Sequence, residues 1–402
     1  MNVNKVKAAI ITNYLVNYIE VPKGTGKVLP LVVIESLAMC VAHLISIYLT
    51  NALHFTPFQV GKLISVLALG TCVGSLCSGY LTTRISVLRV SSLGLLIYAL
   101  GFLLLFYVTS YHFLLAVLFF CGLGGVFMMI GNLTALIKLA NNDSMKNRVI
   151  VLQAVVFNLS YSISSFFMSY FSAQVFKNIF LIFAVFLSVA GVYLLQQKDN
   201  TPVFITEKKL VPLKIKWSLT AILMLAIFFY GVIYSLIRVY FPVEALSRFH
   251  NPFYSWLALS MNPLMIILFQ PVLINALGNK TNRALLMIGA FCLGMGYLLF
   301  GFTSYLLPSL CCITLAAVGE MIFSPISKKL AATSLGVGNE GMGLAIWKLT
   351  FYFSGVLGAT FVGYLGEYYK AINIWLTCIP LTLAIILCAL CYRDSSKGIQ
   401  CA

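Results

Sequence analysis

Residues 55–89 read FTPFQV GKLISVLALG TCVGSLCSGY LTTRISVLR, and this stretch decides the class of fold. Thr56 followed by Pro57 marks a helix start, because the threonine oxygen takes a free amide of the first turn and proline there has no amide to satisfy. The block from Pro57 to Leu81 is apolar apart from Lys62 near its edge, and it has the length a helix needs to cross the hydrocarbon core of a bilayer. Arg84 and Arg89 close it. The same pattern repeats along the whole chain, with twelve apolar blocks at 28–52, 57–81, 88–108, 112–137, 149–172, 175–196, 217–243, 252–277, 284–303, 306–327, 341–365 and 371–392. Hydrophobic residues make up 61% of the sequence and charged residues 9%, against about 25% charged in a soluble domain. The reading is an all-α integral membrane protein of twelve transmembrane helices, and a water-soluble enzyme is excluded.

Short gaps make successive helices antiparallel neighbours. The long gap divides the chain into a leader (1–27), a six-helix unit (28–196), a linker (197–216), a second six-helix unit (217–392) and a tail (393–402). Basic residues fall mostly on one side of the expected bilayer, among them Lys27, Arg84, Arg89, Lys138, Lys209, Lys280, Arg283, Lys328 and Arg393; Lys177, Arg248 and Lys370 fall on the other. Lys- and Arg-rich loops stay in the cytoplasm, so both termini are expected there, and the formal charge of +16 also attracts anionic lipid headgroups. A nucleic-acid partner is not expected, since no soluble domain gathers the basic residues. The leader has no apolar core with a small-residue cleavage site, hence no expected removable signal. Its Lys5, Asn13 and Glu20 alternate with Val6, Ile10 and Leu15 at a spacing that fits an amphipathic helix on the membrane surface. The cysteines and four histidines lack metal-ligand spacing, so neither a metal nor a cofactor is expected.

The two six-helix units look duplicated. Thr56 and Pro57 open the second span, as Asn251 and Pro252 open the eighth; Lys138, Leu139 and Ala140 close the fourth, as Lys329, Leu330 and Ala331 close the tenth. The two matches share nearly one offset. Gly70, Gly74 and Ser78 repeat every fourth residue in the second span, and Gly355, Ala359 and Gly363 do so in the eleventh. Such stripes let helices approach closely in lipid, which makes them candidates for a sliding contact between the halves.

Twelve spans in two sixes resemble the major facilitator superfamily (MFS) of secondary transporters over essentially the full length. Its signature after the second span, Gly-x-Leu-Ala-Asp-Arg-x-Gly-Arg-Arg/Lys, corresponds to residues 79–89. Gly79, Leu81, Arg84 and Arg89 fit as a gating motif, while Thr83 stands in place of the Asp and Ser86 in place of the Gly. Gly122-Leu123-Gly124-Gly125 and the run from Gly319 to Pro325 resemble bacterial drug:proton antiporters and siderophore exporters. Glu320 together with residues 341–347 resembles proton-coupled oligopeptide transporters. The fifth span has neither the Gly nor the Pro of the antiporter motif, and of the oligopeptide motif in the first span only Glu35 remains.

An ionisable group at bilayer depth costs roughly 2.5 to 3.5 kcal/mol on insertion scales, so each one needs a reason. Glu35 and Glu320 are the two deep carboxylates. The resemblance places spans one, four, seven and ten around a central cavity, and burial favours the proton-holding form of a carboxyl. Both are therefore candidate proton-coupling residues, with a permanent pairing to a cation such as Lys348 as the alternative. Helical steps of four align Glu35, Met39 and His43, then Tyr230, Tyr234 and Arg238, then Gln153, Phe157 and Tyr161 with Asn158 alongside. Asn132, Asn262, Gln270 and Lys348 complete the candidate substrate-binding set. Arg238, far along its span, is expected near the outer mouth as an anion site or as a gate with Glu244.

The resemblance implies a monomeric, multi-pass transporter of the bacterial inner (plasma) membrane, coupling protons to a small-molecule substrate by alternating access, and not an enzyme. Export of a drug-like compound or siderophore is the leading expectation. Uptake of a peptide, amino acid or siderophore is the alternative, and a non-cycling sensor or scaffold is the reading from a different class.

Overall fold

The computed structural model describes residues 22, 24–139, 143–170, 173–197, 217–277, 280–334, 340–369 and 373–392. Most of the leader, the linker and the tail therefore lie outside the described residues, and so does the expected amphipathic helix. Among the described residues, twelve helical spans are long and apolar enough to cross a membrane. They are span 1 (Thr25–Asn51), span 2 (Pro57–Thr82), span 3 (Val87–Tyr107), span 4 (Tyr111–Lys138), span 5 (Val149–Tyr170) and span 6 (Lys177–Gln196), then span 7 (Ser218–Arg248), span 8 (Pro252–Gln270), span 9 (Asn282–Phe300), span 10 (Leu306–Ser334), span 11 (Gly343–Tyr368) and span 12 (Ile374–Cys391). An even number of crossings brings the start of span 1 and the end of span 12 to the same face, the terminal end; the opposite face is the far end.

The helix starts follow from local chemistry. Thr56 and Gln59 form a capping box, with the Gln59 amide donating to Thr56 Oγ1 at 3.4 Å and the Thr56 amide donating to Gln59 Oε1 at 3.0 Å. At the equivalent place in the second half, Asn251 Oδ1 accepts the amide of Phe253 at 2.9 Å. Each arrangement satisfies an amide that the helix itself leaves free. Large apolar side chains such as Leu76, Phe113, Val189 and Leu307 remain exposed, which costs little where the surrounding solvent is itself hydrocarbon.

The packing carries the duplication further than the sequence does. In the first half span 1 touches 4 and 5, span 2 touches 4, and span 3 touches 4 and 6; in the second half span 7 touches 10 and 11, span 8 touches 10, and span 9 touches 10 and 12. Adding six to each number turns the first pattern into the second. The halves meet chiefly through two pairs, span 2 with span 11 and span 5 with span 8, and the same operation exchanges those pairs. Two breaks are likewise equivalent and were not expected from the sequence. Span 1 divides after His43, with Leu44 at φ −94° and ψ 7°, and span 7 divides at Tyr240, at φ −103° and ψ −47°. Pro242, in the first turn after the second break, has no amide for the ladder; nothing in the local sequence accounts for the first.

The small-residue stripes act differently from the expectation. Gly70 and Gly74 face span 4 of their own half, and a Cβ on Gly74 would lie 3.0 Å from Leu123 Cα. The glycine of span 2 that meets the other half is Gly61, whose Cβ would lie 3.0 Å from Gly363 Cα and against the Ala359 carbonyl. The stripe of span 11 does serve the contact between halves; that of span 2 serves packing within one. Helical spacing places residues on a common face, but only the rotation of the helix in the bundle sets which neighbour that face meets.

Candidate substrate cavity between the halves

Glu320 lies near the middle of the 29-residue helix Leu306–Ser334. Asn262 of span 8 donates its side-chain amide to Glu320 Oε2 at 2.9 Å and to the Tyr297 hydroxyl at 3.4 Å. Tyr234 of span 7 also reaches the carboxylate with its hydroxyl. These groups open onto a cavity of about 50 Å³ lined further by His43, Asn158, Tyr161 and Arg238. One water occupies about 10–15 Å³ on this measure, so the space holds a few waters, and an organic solute requires the site to widen.

The lining is polar at particular points. His43 Nδ1–H donates to the Met39 carbonyl at 2.7 Å, which leaves Nε2 as the ring nitrogen free to face a ligand. The Arg238 guanidinium lies 5.3 Å from the Tyr234 ring centre and 6.0 Å from that of Phe351. Two buried atoms at the cavity have no hydrogen-bond partner, Arg238 Nε and Asn262 Oδ1. One is a donor and the other an acceptor, and leaving either unmade costs about 1–3 kcal/mol. Pro263, next to Asn262 on the same wall, has no amide to offer the carbonyl of Leu259 one turn earlier.

Glu35 occupies a separate, sealed place. It is 1% exposed, accepts the Asn132 amide at 2.6 Å, and is tied through Asn132 Oδ1 to the Ser91 hydroxyl, also at 2.6 Å. This chain of three joins spans 1, 4 and 3 inside the first half, away from the cavity lining. Of the other sequence candidates, His43, Asn158, Tyr161, Tyr234, Arg238 and Asn262 share the cavity with Glu320. Tyr230 is buried beside it, stacked on Phe323 at 4.8 Å, while Gln153 and Gln270 do not line it. Tyr297 and Pro263 do line it and carried no signal in sequence, since a lone Tyr or Pro in an apolar span reads as packing.

Two expectations are corrected. Arg238 does not pair with Glu244: the Glu244 carboxylate forms an ion pair with Arg248 and accepts the Trp375 indole N–H at 2.6 Å. Span 7 continues as a second helix, Phe241–Arg248, so the outer mouth lies beyond Arg238, which faces the cavity. Nor is a pairing of Glu320 with Lys348 seen among the described residues; the cations whose charge acts on the Glu320 carboxylate are Lys328, two turns along the same helix, and Arg238. In the gating motif, Arg84 and Arg89 are exposed at the terminal end, with Arg84 5.4 Å from the Tyr80 ring centre.

The far end is closed. Ser65 Oγ donates to the Val356 carbonyl at 2.5 Å and lies 2.7 Å from Thr360 Oγ1, and the Phe58 amide donates to Glu367 Oε2 at 3.0 Å. Between spans 5 and 8, Ser165 and Ser260 hydroxyls lie 2.9 Å apart and the Trp256 indole donates to the Ser162 carbonyl at 2.9 Å. These bonds between the halves lie on the far side of the cavity. The profile of the Major Facilitator Superfamily matches residues 32–327 and again 223–398.

The chain belongs to the Major Facilitator Superfamily.

Solved structures of similar fold include a mutant of the nucleoside transporter NupG, at 12% identity and a TM-score of 0.76, covering 91% of this chain and 100% of that one. A POT family transporter in complex with 5-aminolevulinic acid aligns at 18% identity and 0.76, covering 92% and 95%. The peptide transporter POT in complex with alafosfalin aligns at 14% and 0.74, with the same coverage. No curated protein sequence matches the chain. This superfamily member is thus a multi-pass membrane transporter, with twelve helices in the fold those structures share.

Proposed function

We propose that the protein is a proton-coupled secondary transporter of a small, partly polar organic solute, cycling by rocking of its two halves about the cavity. The observation that carries this is Glu320: a carboxyl at mid-span, lining the cavity between the halves and hydrogen-bonded by a neutral amide. Among the described residues no cation lies within ion-pair distance of it. Such a group changes charge with its surroundings, and closure of the far end above it fits one of the two states that alternating access needs.

A proton crossing about 150 mV releases about 3.5 kcal/mol, enough for more than a hundredfold gradient of a neutral solute. The lining sets polar groups among Phe157, Ile237, Phe241, Leu259 and Ile266, which supports a solute with both polar and apolar parts. Export of a siderophore and uptake of a peptide or amino acid both fit that lining, and the same coupling drives either direction. The asymmetry of basic residues supports a plasma-membrane location with cytoplasmic termini.

The test is reconstitution of the purified protein in liposomes, with a pH-sensitive dye inside and candidate solutes outside. Coupled transport moves protons only when a transported solute is present, and imposed pH gradients of opposite sign give the working direction. Solute movement that ignores the pH gradient refutes coupling, and absence of counterflow for every solute supports a non-cycling scaffold.

A further inference from the structure

A second cavity lies on the far side of the contact between Ser165 and Ser260. It measures about 330 Å³ and is lined by Asn51 and Ser169 of the first half and by Val243, Leu246, Phe249 and His250 of the second. Small-molecule sites usually run to about 300–1,000 Å³, so this one admits a ring-sized solute as it stands, which the central cavity of about 50 Å³ does not. The two share no lining residue. Span 5 shows their order along the molecule, because Tyr161, Ser165 and Ser169 recur at four-residue steps. Tyr161 lines the central cavity, Ser165 meets Ser260 across the halves, and Ser169 lines the far cavity.

The chemistry of the far cavity is selective in two respects. Among the described residues no Asp, Glu, Lys or Arg lines it, so a charged solute finds no counter-charge there, and burying a charge without one is costly. The Ser169 hydroxyl is buried without a hydrogen-bond partner, although a hydroxyl can both donate and accept. Ser255, on the opposite wall, is already committed, donating to the Phe249 carbonyl at 2.6 Å. Asn51 and His250 are exposed and offer further donors and acceptors. Val243, Leu246 and Phe249 give the same cavity an apolar wall.

We infer that this cavity is a second binding site, for an uncharged ring bearing hydroxyl groups, such as a monosaccharide or a cyclitol, and that its occupation holds the far end closed. The ring hydroxyls pair with Ser169, Asn51 and His250, while the C–H face lies against the apolar wall. The walls belong to different halves, so opening of the far end pulls the site apart. A ligand that binds one of two states shifts the population toward it. A solute here therefore slows cycling from a place apart from Glu320 and Arg238. The effect on cycling rests on the transporter reading; the binding does not.

The test reads binding and closure separately. Detergent-purified protein is heated with increasing glucose, myo-inositol, glutamate or choline at constant ionic strength, and unfolding is followed by light scattering. Glucose or myo-inositol is expected to raise Tm, and glutamate and choline to leave it unchanged. Ser169→Val keeps the size of the side chain and removes its hydroxyl, and His250→Ala alters an exposed position. In each, the half-effective concentration should rise roughly three- to tenfold, as for loss of one hydrogen bond. The bound ring should also lower maleimide labelling of a cysteine introduced as Ser65→Cys, since it favours the closed far end. Equal shifts with all four compounds, no shift with either ring, or an undiminished shift in both variants would overturn the site. Weakening by Asn262→Ala alone would put the ring in the central cavity and overturn it too. A Tm shift with unchanged labelling would overturn the hold on closure. Binding and reduced labelling in a protein that shows no counterflow for any solute would leave the site standing and refute the proposed transport.

Discussion

Glu367, near the far end of span 11, accepts the backbone amide of Phe58 in the first turn of span 2, at 3.0 Å. The two residues belong to different halves, so a carboxylate of one half caps a helix start of the other, where the helix dipole favours negative charge. Rocking apart of the halves at the far end would separate spans 2 and 11 and break this bond. A charge at a helix N-terminus is worth about 0.3–1 kcal/mol, so Glu367→Ala should shift the balance toward far-end opening about two- to fivefold. Introducing Ser65→Cys and measuring its labelling by a membrane-impermeant maleimide, against the same protein without that cysteine, reads the shift. Glu367→Gln, which keeps an acceptor, should show a smaller change; unchanged labelling in Glu367→Ala would mean that the bond does not hold the closure.

Gly61 and Gly74 offer a second test of the same closure. A side chain at Gly61 meets span 11, and one at Gly74 meets span 4. Gly61→Leu should fold and yet fail to close, raising Ser65→Cys labelling and slowing turnover. Gly74→Leu should instead lower Tm, since overpacking within one bundle costs about 1–3 kcal/mol, with little change in accessibility. Equal behaviour of the two would contradict the assignment of faces.

Glu320→Gln imitates a carboxyl fixed in its protonated form. Solute exchange should survive while accumulation driven by a pH gradient disappears, a difference seen by comparing counterflow with gradient-driven uptake in the same liposomes. Full gradient-driven accumulation in the variant would remove Glu320 from coupling.

Arg238→Ala should impair transport of anionic solutes by tenfold or more, about 1.4 kcal/mol or above, because the site loses its forked donor. Arg238→Lys should recover little of this, since an ammonium cannot reproduce two parallel hydrogen bonds. Wild-type rates for every solute in Arg238→Ala would leave the residue without a binding role.

Asn132→Leu leaves the Glu35 carboxyl and the Ser91 hydroxyl without their shared partner. Loss of a buried hydrogen-bond partner costs about 1–3 kcal/mol, so a lower Tm is expected, read by the same heating assay. A Tm equal to wild type would show that the three-residue chain contributes nothing to the packing of spans 1, 3 and 4.

The sequence by itself determined the class of fold, the number and approximate limits of the spans, and the helix starts at Thr56 and Asn251. These are local matters: lipid is a nearly uniform solvent that selects each apolar block by its own length and composition, and a cap acts within one turn. Helical spacing also brought Tyr234 and Arg238 to one face. It could not say that Arg238 faces Glu320 rather than Glu244, or that Gly61 rather than Gly74 meets the other half. Glu35 and Glu320 look alike in sequence, each a lone carboxyl in an apolar span, yet one is sealed by Asn132 inside a bundle and the other lines the cavity. Only the tertiary structure decided these, because each depends on how a helix is rotated about its axis and which partner lies against it, and that is settled by contacts between residues as far apart in the chain as Phe58 and Glu367.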